Sequence, residues 1–349
     1  MVETTQDDPH KGAQSATPQE GAVRGVGIVA IGRNEGPRLK ACLNSLVGEN
    51  ASANYPCVYV DSGSTDDSVA FARGLGVELV SLDMAQPFTA ARARNEGAAK
   101  LVSRWPELDY IFFIDGDCRA EPDFIPAAHD QFIKNPKVKL VTGRCREMYP
   151  DKSIYNLMCD LEWQGPIGEI EACGGIFMIA RDTFEKIGGF NPVVIAAEDD
   201  ELCIRVRATG AKLVRIDKDM CWHDANIEHF SQWWKRAGRA GYAFGLVGDM
   251  HQGYFQQSRR RSIFWGGVLP FLILVGIPFT GGLSLLLAGL YLLSFLKTSK
   301  GLIDQGKTVK HSFIYAGFLV LSKFSSFLGM LKYWVKKSMD KTITIVEYK

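Results

Sequence analysis

The chain has 349 residues, of which 46% are hydrophobic and 23% charged, and this balance excludes a disordered or collagen-like protein. The 40 lysines and arginines are matched by 39 aspartates and glutamates, so there is no overall basic field and no nucleic-acid partner is expected. The charge is unevenly distributed, however, because residues 263–296 carry none. This split predicts a soluble body followed by a membrane-attached region.

The domain boundaries are predicted from the same split. Residues 1–23 are polar, lack the apolar core of a secretory signal and are predicted to form a flexible tail. Residues 24–258 are predicted to form the soluble domain, and residues 259–349 the membrane-attached region. Eight scattered cysteines without C-x-x-C spacing are typical of small core residues in a reducing compartment. We therefore expect the body to stay in the cytoplasm.

From residue 25 onward, short apolar runs alternate with stretches of helical spacing. Such alternation predicts an α/β fold with a parallel or mostly parallel sheet, in which ligands bind at the carboxyl ends of the strands. The predicted strands are residues 26–31, 57–60, 77–80, 110–114 and 138–141, and the predicted helices include residues 37–47 and 89–104.

Two carboxylates directly follow the fourth predicted strand, YIFFI. Asp115 and Asp117 flank a glycine, so both can turn toward one point, and their hard oxygen atoms suit Mg²⁺ or Mn²⁺. A metal there can neutralise a nucleotide diphosphate. The alternative is a simple turn, because aspartate and glycine are turn residues.

Three further segments carry candidate ligand-binding groups. Asp61 ends the second strand and can accept a hydrogen bond from a base or a ribose hydroxyl, or else form a local turn. Arg94 lies in the opening turns of a helix, where it can approach phosphate or form part of a solvated face. Arg236 lies in the basic and aromatic stretch QWWKR, which suits a diphosphate, a lipid headgroup or an interfacial helix.

A run of four acids, residues 198–201, precedes the helical stretch LCIRVRATG. Acids favour a helix N-terminus, but mutual repulsion and partial burial also raise a carboxylate pKa and can produce a general base. His223 follows a later strand-like run and is either a third metal ligand or a structural histidine.

Taken together, these segments resemble the family 2 glycosyltransferases of GT-A fold, a Rossmann-like nucleotide-binding mixed sheet with flanking helices, here followed by membrane helices. The resemblance rests on the ordered motifs AIGRNEG, VDSGSTDDS, ARARNEGA, FFIDGDC, GGIFMIARDTFEKIGGF and AAEDDELCIRVR. It implies transfer of a sugar from a UDP- or GDP-sugar with inversion at the anomeric carbon.

The resemblance also implies roles for individual residues. Asp61 would contact the nucleobase, and Asn34, Glu35 and Arg94 would line the nucleotide pocket. Asp115 and Asp117 would hold the divalent cation, and Asp199 would deprotonate the acceptor hydroxyl. The stretch around Arg236 departs from the Q-x-x-R-W signature of processive synthases, which favours addition of a single sugar.

The uncharged run of residues 263–296 would be about 51 Å long as one helix, against a hydrocarbon core of about 30 Å. Prolines and glycines interrupt it, which predicts a helical hairpin turning near residues 279–282. Basic flanks place both ends in the cytoplasm. Residues 312–335 are predicted to form either an amphipathic interfacial helix or a further span.

These features predict a membrane-attached enzyme of the cell inner membrane that glycosylates a lipid-linked or other saccharide acceptor. The wider resemblance is to bacterial exopolysaccharide or lipid-linked saccharide assembly. Two alternatives are a nucleotidyltransferase, which the acidic loop GRNEG disfavours, and a non-catalytic membrane scaffold, which the retained acids disfavour.

Overall fold

The computed structural model describes residues 23–339. Nine strands form one mixed sheet in the order β3-β2-β1-β4-β8-β6-β9-β5, with β7 paired to β9. The strands are β1 (Val26–Gly32), β2 (Cys57–Asp61), β3 (Glu78–Ser81), β4 (Tyr110–Asp115), β5 (Cys118–Ala120), β6 (Val138–Glu147), β7 (Gly168–Ile170), β8 (Phe177–Ala180) and β9 (Lys212–His223).

Helices cover both faces of this sheet and continue beyond it. Those that pack around the sheet are α1 (Pro37–Leu46), α2 (Ser68–Gly74), α3 (Ala90–Arg104), α4 (Phe124–Lys134), α5 (Ile154–Trp163), α6 (Arg181–Lys186) and α7 (Glu198–Ala208). The later helices are α8 (Phe230–Met250), α9 (Gln256–Ile263), α10 (Leu269–Thr280), α11 (Gly289–Asp304) and α12 (Val309–Ser338).

The first half of the sheet is parallel, which brings the ends of three strands together. In register, Gly32 at the end of β1 lies beside Asp61 of β2, and Ile31 lies beside Asp115 of β4. Strands β1, β2 and β4 are almost entirely buried because apolar clusters cover both of their faces. Two aspartates predicted from sequence therefore lie at one edge of the sheet.

The second half of the sheet differs from the mostly parallel arrangement predicted above. Strand β8 pairs antiparallel with both β4 and β6, and β9 pairs antiparallel with β5 and β7. The sheet is therefore mixed, as the GT-A fold requires. Strands β5 and β7 span three residues each and β8 spans four, which is too short for periodicity to reveal.

Three helical segments after the sheet are long and apolar enough to cross a membrane: residues Gln256–Thr280, Leu283–Asp304 and Val309–Ser338. They leave large apolar side chains uncovered, with Phe279 84% and Leu286 76% exposed. Gly281 and Gly282, both at positive φ, separate the first two segments. The domain boundaries at residues 24, 259 and 312–335 remain predictions, and the predicted tail, residues 1–23, falls outside the described residues except for Val23.

Helix α12 is held against α8 by an unusually close crossing of small residues. A Cβ atom on Gly241 would overlap the backbone of Ser326, and one on Gly329 would overlap the carbonyl oxygen of Gly238. The hydroxyl of Ser325 donates a hydrogen bond to the carbonyl of Trp234 at 2.6 Å. The last apolar helix is thus fixed to the helix that follows the sheet.

Candidate functional site

The loops after β1 and β2 are joined by a set of short polar contacts. The Oδ1 atom of Asn34 accepts a hydrogen bond from the backbone N–H of Thr65 at 2.7 Å, and the N–H of Asn34 donates to the hydroxyl of Ser64 at 2.9 Å. Asn34 adopts a positive φ of 54°, a conformation that asparagine tolerates better than most residues. Glu35 forms an ion pair with Arg38 at 2.6 Å.

Asp61 is buried at the centre of these loops. One of its carboxylate oxygens accepts hydrogen bonds from the N–H groups of Gly63 and Ser64, at 3.0 and 2.9 Å, and the other accepts from the hydroxyl of Tyr59 at 3.3 Å. Asp61 therefore forms the local turn that the sequence offered as the alternative, and it lies in the loops that Asn34 joins.

Arg94 connects two distant acidic segments. Its guanidinium, 2% exposed as a residue, donates to Asp115 at 2.7 Å and to Glu198 at 2.8 Å. Burial alone would lower the pKa of Arg94, but the two carboxylates raise it above its ordinary value, so the group stays charged. Gly175 makes this possible because a Cβ atom there would overlap the guanidinium.

The carboxylate of Asp117 faces His223 on β9. The pairing of β5 with β9 sets Cys118 opposite His223, and the Nε2 atom of His223 lies 3.3 Å from Oδ1 of Asp117. A carboxylate oxygen, a thiol sulfur and a ring nitrogen lie within 4.8 Å of one another here, and they belong to Asp117, Cys118 and His223. Such a group can hold a metal ion. Asp115 is not part of this group.

The chemistry of these donors fits Mn²⁺ through Asp117 and His223, and Mg²⁺ through the carboxylate of Asp117 alone. Manganese accepts carboxylate and imidazole ligands, whereas a thiol suits softer metals. Burial raises the pKa of the Cys118 thiol, which favours the protonated form that binds metals poorly. The buried Nδ1 atom of His223 has no hydrogen-bond partner within residues 23–339, and its ring packs edge-on against Trp163.

The four acids at the start of α7 have different partners. Glu198 binds Arg94, Asp200 accepts from the hydroxyl of Tyr254 at 2.6 Å, and Glu201 binds Arg205 at 2.6 Å and His251 at 3.1 Å. Asp199 accepts a hydrogen bond only from the backbone N–H of Asp200 among the described residues.

Electrostatics also distinguish Asp199 from its neighbours. Burial, reinforced by the negative charges of Asp200 and Glu198, raises the pKa of Asp199 well above its ordinary value. Burial also raises the pKa of Asp200, to about 6, although the hydroxyl of Tyr254 opposes that rise. A half-buried carboxylate with a raised pKa and no side-chain hydrogen bond can accept a proton from a neighbouring hydroxyl.

A family comparison identifies this arrangement. Residues 28–187 match the family model described as glycosyl transferase family 2, a range that includes the segments bearing Asp61, Arg94, Asp115 and Asp117. The chain carries a family 2 glycosyltransferase domain. Residues 157–230 also match a second family model, described as the N-terminal domain of galactosyltransferase. This second range includes Asp199 and His223.

One solved structure shows the same fold. The glycosyltransferase resembles mannosyltransferase PcManGT from Pyrobaculum calidifontis, in complex with GDP-Man and Mn²⁺, with a TM-score of 0.58 and 16% identity over 92% of this chain and 91% of the other. Glucosyl-3-phosphoglycerate synthase from Mycobacterium tuberculosis, in complex with Mn²⁺, UDP and glucosyl-3-phosphoglycerate, has a TM-score of 0.47 and 17% identity. That match covers 64% of this chain and 78% of the synthase. TarS of S. aureus has a TM-score of 0.47 and 12% sequence identity, and the match covers 70% of this chain but only 43% of TarS.

The structure places the remaining predicted residue, Arg236, on α8, where it forms an ion pair with Glu162 of α5 at 2.6 Å. Two contacts of the candidate site residues were not predicted from the sequence. Glu198 was predicted only as a member of an acidic run, and Tyr254 was not predicted at all. For Glu198 the available signal was its place beside Asp199, whereas no sequence pattern linked Tyr254 to Asp200.

Proposed function

We propose that this family 2 glycosyltransferase uses Asp199 as the base that activates an acceptor hydroxyl, with inversion at the anomeric carbon of a UDP- or GDP-sugar. The observation that carries the proposal is the distribution of partners along residues 198–201. Three of the four acids are engaged by side chains, whereas Asp199 retains a carboxylate with a raised pKa and no side-chain hydrogen bond.

The proposed step balances in atoms and charge. The acceptor hydroxyl transfers its proton to the Asp199 carboxylate while its oxygen forms a bond to the anomeric carbon. The bond from that carbon to the phosphate oxygen breaks, and the nucleoside diphosphate departs with the electron pair. A single base on the face opposite the leaving group produces inversion.

The donor side is proposed to lie where β1, β2 and β4 end. The loops held by Asn34, Glu35 and Asp61 would receive the nucleoside, and Arg94 would stand beside the phosphates. A divalent cation held by Asp117 and His223, with Asp115 nearby in sequence, would neutralise the diphosphate. The GDP-Man and Mn²⁺ named for PcManGT support this donor class and metal.

The acceptor is proposed to be a lipid-linked saccharide at the cytoplasmic face of the cell inner membrane, in cell-surface polysaccharide or glycolipid assembly. The three long apolar helices support membrane attachment, and α8 bears Trp234 and Arg236 between the acidic run and those helices. Aromatic and basic side chains favour the headgroup level of a membrane.

The proposal is tested with the full chain in phosphatidylcholine nanodiscs and a panel of UDP- and GDP-sugars. We expect one donor to release its nucleoside diphosphate in the presence of Mn²⁺ or Mg²⁺, faster with membrane lipid extract, and not in excess EDTA. Release from no donor, or release that EDTA leaves unchanged, would contradict it.

A further inference from the structure

A cavity of about 190 Å³ lies between α8 and α12, next to the segment that leads into the acidic run. Ile195 and Ala196 of that segment line the cavity. Its other walls combine apolar and cationic side chains, among them Trp234, Tyr242, Leu328, Lys235, Arg239 and Lys332.

The two helices that line the cavity are in close contact at this point. A Cβ atom on Gly329 would overlap the carbonyl oxygen of Gly238, so position 329 has no room for a side chain. Ser325, which also lines the cavity, is tied to the Trp234 carbonyl by a hydrogen bond of 2.6 Å. Glycines at this crossing leave an open space beside the helix contact where larger residues would fill it.

The charge of the lining selects an anion. Lys235 and Arg239 lie one turn apart on α8, and Lys332 approaches from α12, whereas no aspartate or glutamate of residues 23–339 lines the cavity. Lys235 and Lys332 are exposed at the rim, and Trp234 and Leu328 supply apolar surface beside them. Apolar walls with a cationic rim fit a phosphate headgroup attached to a hydrocarbon chain better than a free sugar phosphate.

The position of the cavity connects it to the reaction. Ala196 precedes Asp199 by three residues, so their Cα atoms are at most about 11 Å apart. At its other side the cavity is bounded by α12, one of the three helices able to cross a membrane. A headgroup held here would have its hydrocarbon chain at the apolar helices and its sugar toward Asp199.

We propose that this cavity binds the phosphate or diphosphate of the acceptor lipid through Lys235, Arg239 and Lys332, with the first part of the hydrocarbon chain against Trp234 and Leu328. This inference rests on the proposed function. It adds a defined acceptor subsite, separate from the loops proposed to bind the donor, and it makes the α8–α12 crossing part of substrate recognition.

The test measures binding of farnesyl diphosphate to the full chain in phosphatidylcholine nanodiscs. Each of Lys235→Gln, Arg239→Gln and Lys332→Gln should weaken binding about five-fold, and the triple variant on the order of 100-fold. Leu328→Trp, which fills the cavity without changing charge, should also weaken it. Lys310→Gln, an exposed lysine on α12 outside the cavity, is the matched control and should bind like the unmodified protein.

Competitors distinguish the sources of phosphate. Neutral farnesol, inorganic pyrophosphate and phosphatidylglycerol should each compete poorly, because the cavity requires both a phosphate and a single hydrocarbon chain. Equal competition by pyrophosphate or by phosphatidylglycerol would overturn the proposal, as would unchanged binding in the triple variant. Such a result is then compared with the release of nucleoside diphosphate from nucleotide-sugars by the unmodified protein. If release is observed, only the acceptor subsite fails. If no nucleotide-sugar is cleaved, the proposed function fails as well.

Discussion

Arg94 donates a hydrogen bond to Asp115 at 2.7 Å from a position that is almost fully buried. The same guanidinium reaches Glu198, which is 104 positions away in sequence. The contact therefore joins the end of β4 to the start of α7, the two segments proposed to serve the donor and the acceptor. One side chain fixes their relative position.

Arg94→Met should destabilise the soluble domain, because it leaves two carboxylates facing each other without a cation. Breaking a buried ion pair in this way costs about 3–5 kcal/mol. Thermal unfolding of the detergent-solubilised protein measures the effect. Arg104→Met, at the exposed end of the same helix, serves as the control, and equal melting temperatures for the two variants would show that the Arg94 contacts do not hold the site together.

Asp117→Asn should abolish most of the metal-dependent binding of the donor nucleotide while the protein remains folded. The carboxylate of Asp117 faces His223, and an amide is a far weaker ligand for a hard cation. Titration calorimetry of UDP and GDP with and without Mn²⁺ provides the measurement. Asp130→Asn, an exposed acid on α4, is the control, and an unchanged Mn²⁺ effect in Asp117→Asn would remove this residue from the metal site.

Asp199→Asn should lower turnover by about 10²–10⁴-fold, which is the usual contribution of a general base, and should leave donor binding in place. Asp200→Asn should keep most of its activity because the amide oxygen can still accept from Tyr254. Single-turnover rates at saturating donor compare the two variants. Loss of activity in Asp200→Asn with near-normal rates in Asp199→Asn would shift the assignment by one residue.

Turnover should fall at acidic pH over a range well above the ordinary aspartate pKa of about 3.9. Asp199 acts only when it is deprotonated, and burial together with Asp200 and Glu198 raises its pKa. Asp200→Asn removes one neighbouring negative charge and should therefore move the acidic limb of the pH–rate profile to lower pH. Asp182→Asn is the control, because Asp182 pairs with Lys139 and not with the acidic run, and it should leave the acidic limb unchanged. An acidic limb near pH 4 in the unmodified protein would contradict the raised pKa of Asp199.

Gly241→Ala should destabilise the packing of α12 on α8. Alanine normally stabilises a helix interior by about 1 kcal/mol relative to glycine, but here its Cβ atom would overlap Ser326. Gly301→Ala in α11, with open space around the added atom, is the matched control and should be neutral or stabilising. Limited proteolysis in detergent can compare them, and equal resistance in both variants would show that the helices do not need this close contact.

The sequence allowed the positions of Asp61 and Asp115 to be predicted, because the signals for them are local. Strands β2 and β4 are apolar runs that end at these two aspartates, and parallel pairing with β1 places their ends together. The GT-A fold was predicted from the order of the sequence motifs, and the mixed sheet confirms it. The roles assigned to Asp199 and His223 remain predictions.

Other features depend on contacts between distant segments and have no local signal. The antiparallel insertion of β8 between β4 and β6 cannot be seen in four apolar residues. The ion pair of Arg94 with Glu198 and the hydrogen bond from Tyr254 to Asp200 depend on how separate elements pack. Arg236 was predicted to bind a ligand from its local composition, whereas its partner Glu162 lies 74 positions earlier.

The stereochemistry of transfer tests the central claim most directly. The product formed from an α-linked nucleotide-sugar by the full chain in nanodiscs, with Mn²⁺, can be assigned by the anomeric proton coupling in NMR. A single base at Asp199 opposite the departing diphosphate predicts a β-linked product. An α-linked product would contradict this account, because retention of configuration requires a different arrangement of groups around the anomeric carbon.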